Sequence, residues 1–146
     1  MNLLLFELDE LRCAIDASLA REVVRAVAVT PLPGAPAVVE GVIDIRGTTV
    51  PVLDVRSRFG LSARPAEPTD HMIIAWTGSR IVALRVTRAE GLQQIDPAAI
   101  DDARQITKGA DAIEGVARLP DGLAIIYDLP RFLSAAEAES LARALQ

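Results

Sequence analysis

A stretch of twenty residues is echoed without a gap 74 positions later, with four identities and the same order of elements. "EGVIDIRGTTVPVLDVRSRF" (40–59) lies over "EGVARLPDGLAIIYDLPRFL" (114–133). Glu40, Gly41, Val42 and Asp54 fall on Glu114, Gly115, Val116 and Asp128, while Val52 meets Ile126, Val55 meets Leu129 and Phe59 meets Leu133. Each copy reads as strand, tight turn, strand, Asp, helical turn. The offset is close to half of the 146 residues, so the pattern predicts two similar small β units packed together. A unit of about 70 residues has a thin core, and the two units are therefore expected to share an apolar interface.

The rest of the chain is read from period and punctuation. "NLLLFEL" (2–8) and "RCAIDA" (12–17) alternate as strands around the turn "DE". Ser18 is a plausible N-cap for a short helical turn, followed by a strand from about 22 to 30. "TPLPGAPA" (30–37) is a stiff extended loop. In the repeated stretch, "VVEGVIDI" and "VPVLDV" are strands joined by "RGTT". Pro51 has no N–H, which predicts a sheet edge or a bulge there. Asp54 caps the turn "VRSRFG", which Gly60 ends.

"LSARPAEPTD" (61–70) is a linker and the best boundary between halves 1–65 and 66–130 of a single domain, 1–146, with strands free to exchange between them. "HMIIAWT" and "RIVALRV" form a hairpin, "AEGLQQI" a further strand with Gly91 as a bulge, 96–112 a loop with a helical turn, and 113–129 a second strong hairpin. Residues 130–146 form a C-terminal amphipathic helix, in two pieces broken near Ser134.

Several function classes are excluded by what is present. Net charge is −5 and aromatics are 3%, a poor platform for nucleic acid, which needs basic patches and stacking rings. No apolar run approaches the roughly 20 residues of a membrane span, and the acidic Glu7 and Asp9 interrupt the N-terminal apolar run, so neither direct membrane insertion nor a secretory signal is expected. The single Cys13 sits in an alternating stretch and reads as a small core residue; a lone cysteine without an export signal fits the cytoplasm.

Nor is catalytic chemistry apparent. One histidine, His71, starts a strand and reads as solvated or half-buried rather than as a base. There is no HExxH, GxSxG or Walker A motif, and Gly41 and Gly47 do not make GxGxxG. Asp96, Asp101, Asp102 and Asp111 lack EF-hand spacing and read as a solvated acidic loop. We expect no cofactor, no metal and no enzyme, but a binding module.

The stretch 21–61 carries a resemblance. Glu22-Val23, Pro33, Pro36, Gly41-Val42-Ile43, Arg46-Gly47, Pro51 and Asp54 fill a pattern similar to the CheW-like domain of bacterial chemotaxis adaptors and of the regulatory domain of the histidine kinase CheA. The short chain resembles the free-standing adaptor. It departs from the usual pattern at Cys13, where an aromatic is usual, and at Val86-Thr87-Arg88-Ala89, where Val-Asp-x-Val is usual.

The resemblance implies a mainly all-β fold of two SH3-like five-stranded barrels with a hydrophobic groove between them. It implies a cytoplasmic, non-catalytic scaffold coupling chemoreceptor signalling tips to CheA in membrane-associated arrays. The receptor surface would lie around Glu22, Val23, Val24, Ile43 and Arg46. The kinase surface would lie on barrel ends near Thr48 and Val50 and in the second unit. Gly41, Gly47, Pro51, Asp54, Gly115 and Asp128 are the motif's structural positions.

From the residues themselves, a half-buried Arg46 needs a partner, because an unpaired buried charge costs several kcal/mol; Glu22 is that partner. Two alternatives remain open. One is an adaptor of a chemosensory pathway with a non-flagellar output. The other is a small-ligand-binding sensory β domain using the inter-barrel groove.

Overall fold

The computed structural model describes residues 1–102 and 113–146. Period-two apolar alternation becomes strands β1 (Asn2–Leu8), β2 (Leu11–Asp16), β3 (Ala20–Arg25), β4 (Val39–Ile45), β5 (Thr48–Leu53), β6 (His71–Trp76), β7 (Ile81–Val86), β8 (Arg88–Gln94), β9 (Ile100–Asp102), β10 (Ile113–Leu119) and β11 (Gly122–Tyr127). Helix α1 (Val55–Arg58) follows β5, and helix α2 (Ala135–Ala144) closes the chain. Ser134 caps α2 in a reciprocal capping box with Glu137.

The strands form two sheets, ordered β3-β6-β7-β5-β4 and β8-β1-β2-β11-β10-β9. The repeat is visible in their registers. Val39 pairs with Leu53 and Gly41 with Val52; 74 residues on, Ile113 pairs with Tyr127 and Gly115 with Ile126, with the same register shift between them. The remaining strands superpose at an offset of 69. Ile73 faces Leu84 as Leu4 faces Ile15, and Val23 faces Ile73 as Leu92 faces Leu4. β3 thus completes the sheet built on β6 and β7, and β8 completes the one built on β1 and β2.

Each sheet curls until its edges meet. Thr30, beyond β3, exchanges two backbone hydrogen bonds with Val42 at 2.9 and 2.8 Å. In the other unit β9 does the same work, with Asp102 facing Gly115. The repeated glycines are where these backbones touch. A Cβ on Gly41 would overlap the Thr30 carbonyl, lying 2.9 Å from its carbon; one on Gly115 would sit 2.6 Å from the Asp101 carbonyl oxygen.

Three details differ from the sequence expectation. Pro51 lies in an interior strand, since β5 is flanked by β7 and β4. The strand tolerates it because Val42, its partner, spends its N–H and C=O on Thr30. The Val42–Pro51 pair is therefore a non-hydrogen-bonded one, and parallel pairing to β7 starts only at Val52. Second, the helical turn at Ala17–Leu19 is capped by Asp16, whose carboxylate accepts the Ser18 N–H at 3.0 Å. Third, the regular strand ends at Arg25 rather than near 30, and the loop after Asp96 contains β9. Asp111 lies outside the described residues.

Apolar side chains fill three spaces. Met72, Ile74, Ile43, Val50 and Val52 pack inside the first barrel; Leu3, Leu5, Ala14, Ala124 and Ile126 pack inside the second. The largest cluster lies between the sheets and draws Leu4, Phe6 and Ile15 against Leu53, Ile73 and Leu84. Aromatics collect at this joint: Tyr127 stacks on Phe6 at 6.3 Å, touches Phe59 at 4.0 Å and meets Phe132 edge-on. Its hydroxyl donates to the Val55 carbonyl at 3.2 Å. Cys13 is fully buried here, and burial pushes its thiol up to about 12. Iodoacetamide at pH 8 is therefore expected to leave the native protein unlabelled and to label it in denaturant; mass spectrometry reads the difference.

An ion-pair chain fastens the linker over the joint. Arg56 of α1 is 2% exposed and grips Asp9 in the β1–β2 turn with both terminal nitrogens. Arg64 of the linker pairs with Asp70 at 2.9 Å and lies 3.5 Å from Asp9. Arg85 on β7 reaches Asp70 at 3.1 Å and Glu40 at 2.7 Å. Charges this buried persist only when each has its partner, so the chain fixes the linker against both sheets.

Candidate functional site

The β4–β5 hairpin turns on two residues, Arg46 and Gly47, both with positive φ (49° and 86°). This is the two-residue turn whose backbone matches strand twist. Asp44 tightens it by accepting the Gly47 N–H at 2.8 Å. An arginine in the left-handed region costs roughly 1–2 kcal/mol, so the hairpin itself does not favour Arg46. Its side chain crosses to β3, where Nη1 donates to Glu22 Oε1 at 2.9 Å and Nη2 meets Oε2. Arg46 holds the Glu22 carboxyl below its ordinary range through these bonds.

The pair spans the end of the first barrel. Arg46 is exposed, its side chain 71% accessible, so the premise of a half-buried Arg46 is corrected while its partner is the one expected. Beneath the pair opens a cavity of about 300 Å³, floored by Ile45, Val50, Ile74 and Ile81 and rimmed by Arg21 and Thr48.

The candidate positions separate by access. Glu22, Arg46, Thr48 and Val50 border this one cavity. Val23 stands outward on β3, 42% exposed. Val24 packs half-buried against the barrel interior, and Ile43 is 3% exposed within it. Ile43, and Val50 at 1% exposure, therefore support the wall from inside and offer almost no surface to a partner, which corrects the expectation for both. The cavity lies at the barrel end, whereas the space between the barrels holds the largest core cluster.

The fold fits one known arrangement. A protein-family model described as the CheW-like domain matches residues 2–137. The chain belongs to the CheW-like domain family. It is 34% identical over 124 residues to chemotaxis protein CheW of Rhizobium meliloti, covering 78% of this chain and 79% of that one. Chemotaxis protein CheW of Treponema pallidum is 30% identical over 150 residues, covering 97% and 86%. The crystal structure of the scaffolding protein TtCheW from Thermoanaerobacter tengcongensis superposes with a TM-score of 0.78 at 29% identity, covering 86% of this chain and 87% of that one.

Within this CheW-like domain, the two departures from the usual pattern have local explanations. Thr87 sits on the ion-pair chain: its hydroxyl accepts the Asp9 N–H at 2.8 Å and Arg56 Nη2 at 3.2 Å. Arg56 takes its carboxylate partner from Asp9 in the β1–β2 turn. Cys13 faces Phe6 across β1–β2 and lies in the aromatic-lined joint. His71 also has a structural role, with Nδ1 accepting the Ala89 N–H at 2.9 Å to hold β8.

Sequence reasoning missed Arg21, Ile74 and Ile81 at the site. Ile74 and Ile81 reach it only because β3 pairs with β6 rather than with its own hairpin. Arg21 reaches it through a bulge: Ala20 faces Ala75 and Glu22 faces Ile74, leaving Arg21 as the extra residue.

Proposed function

We propose that this protein is a non-catalytic chemotaxis adaptor that couples chemoreceptor cytoplasmic signalling tips to the regulatory domain of the histidine kinase CheA. The observation that carries this reading is the Glu22–Arg46 pair over a cavity with an aliphatic floor and a charged rim, in a CheW-like domain. A charged clamp at the edge of an apolar floor suits a protein partner: the floor supplies buried area and the charges set orientation. The receptor side is assigned to Glu22, Val23 and Arg46, and the kinase side to the barrel ends near the exposed Thr48 and in the second unit. Among the described residues no helix is long and apolar enough to cross a membrane. As an adaptor of this kind the protein would work in the cytoplasm, its contact with receptor arrays routed through its partners.

Arg46→Ala tests the assignment by calorimetric titration with a receptor-tip fragment. An exposed ion pair contributes little to folding, so the urea unfolding midpoint should be nearly unchanged. Binding should weaken about tenfold, as for a contact of moderate weight at an interface. Unchanged binding would remove Arg46 from the receptor surface. Collapse of the fold would make it structural instead.

A further inference from the structure

The two barrel ends are built on the same plan and finished differently. Ile81 faces Trp76 as Arg12 faces Glu7, 69 residues earlier, so Ile81 and Arg12 occupy equivalent places. Arg21 and Glu90 are likewise equivalent, each the bulged residue of the exchanged strand. Gly47 and Asp121 correspond across the hairpin turns at the 74-residue offset.

In the second barrel these three places carry Arg12, Glu90 and Asp121. Arg12 donates to Glu90 at 3.0 Å and to Asp121 at 2.7 Å, forming a charged strut across the end. In the first barrel they carry Ile81, Arg21 and Gly47, so that strut cannot form, and the Glu22–Arg46 pair bridges the rim instead. Beneath that pair the cavity of about 300 Å³ remains.

The rim of that cavity is cationic. Among the described residues the Arg21 guanidinium, on the cavity rim, has no carboxylate partner, although the chain carries net charge −5. One unpaired guanidinium beside a socket floored by aliphatic side chains complements an anionic ligand carrying an apolar knob.

We propose that the end of the first barrel is a socket for one large aliphatic or aromatic side chain borne on an acidic segment of a partner protein, with Arg21 as the charge contact. The Arg12 strut makes the second barrel end unable to receive such a segment, so each molecule has one socket and a direction. The proposal rests on the reading of this face as a partner surface and names the chemistry it selects.

The test needs no chemotaxis component, so it can fail separately from the adaptor reading. The full chain, methyl-labelled at isoleucine, is titrated with a synthetic peptide of glutamates flanking one leucine, and methyl spectra are recorded. Shifts are expected at Ile45, Ile74 and Ile81. They should vanish with a Leu→Ala peptide and with a lysine-flanked peptide. Arg21→Glu, which leaves the core untouched, should weaken binding about fivefold to tenfold. The double variant Ile81→Arg with Arg21→Glu introduces the Arg–Glu half of the other barrel's strut and should abolish the shifts. Absence of shifts in the wild type, shifts that survive Leu→Ala, or shifts confined to isoleucines away from the cavity would overturn the proposal.

Discussion

Replacing Gly41 with alanine is expected to cost about 3–4 kcal/mol of folding stability. The new Cβ would overlap the Thr30 carbonyl and lie 2.8 Å from Val29 Cγ1. That carbonyl cannot retreat, because it accepts the Val42 N–H in the bridge that closes the first barrel. Forcing a methyl into such a site costs typically 1–3 kcal/mol. The positive φ of 155° adds to this, since side-chain-bearing residues rarely adopt it. Against a usual total of 5–15 kcal/mol, this is among the largest single-residue effects the chain offers. Gly115→Ala should lose about 2–3 kcal/mol for the same reason at Asp101. Gly47→Ala is the control: open space surrounds it, so only its φ of 86° matters, and about 1 kcal/mol is expected. Urea unfolding monitored by circular dichroism ranks the three. Equal losses at Gly41 and Gly47 would show that the close approach to Thr30 does not govern the barrel.

The second large effect is expected at Asp70. Its side chain is 1% exposed and receives Arg64 at 2.9 Å, Arg85 at 3.1 Å and the Glu67 N–H at 3.0 Å. Removing one partner from a buried ionic cluster costs about 3–5 kcal/mol, because the remaining charges stay buried without it. Asp70→Ala should lose that amount at pH 7, with the linker loosened over the joint. Burial alone would raise the Asp70 carboxyl, but the Glu67 N–H and the two arginines outweigh it and hold it below its ordinary value. A carboxyl lowered in the folded state contributes fully above its unfolded value near pH ~4 and loses that contribution as pH falls through the folded value. The gap between wild type and Asp70→Ala should therefore be constant from pH 7 to about 5 and narrow below about 4. A gap that widens in acid would contradict the ion-pair account.

The hairpins, their turns and the 74-residue echo were legible because they are local. Gly41, Asp54 and their counterparts carry the pattern in adjacent residues, and the registers repeat it pair by pair. The exchange of β3 and β8 was not fixed by that pattern. Alternation reveals which face of a strand is buried but not which strand lies beside it. The same limit hid the site's floor, since Ile74 and Ile81 reach Glu22 only through that exchange.

Glu22 and Arg46 were found as a pair, though on a wrong premise: Arg46 is exposed and crosses from a turn, not from a half-buried strand. Pro51 misled because proline's missing N–H says only that no bond forms on one side, not that the strand has no neighbour there. The ion-pair chain was invisible for a different reason. Asp9, Arg56, Asp70 and Arg85 come from four elements, and each reads as an ordinary surface charge in its own segment.

The adaptor reading is tested most directly by co-sedimentation of this protein with CheA and a membrane-embedded receptor fragment. With each soluble protein at about 20 μM, well above the micromolar dissociation constants of transient signalling contacts, the three should pellet together. Kinase recovery in the pellet should fall when this protein is omitted or replaced by Arg46→Ala. Kinase that pellets equally with and without it, or a pellet that contains neither soluble protein, would contradict the account.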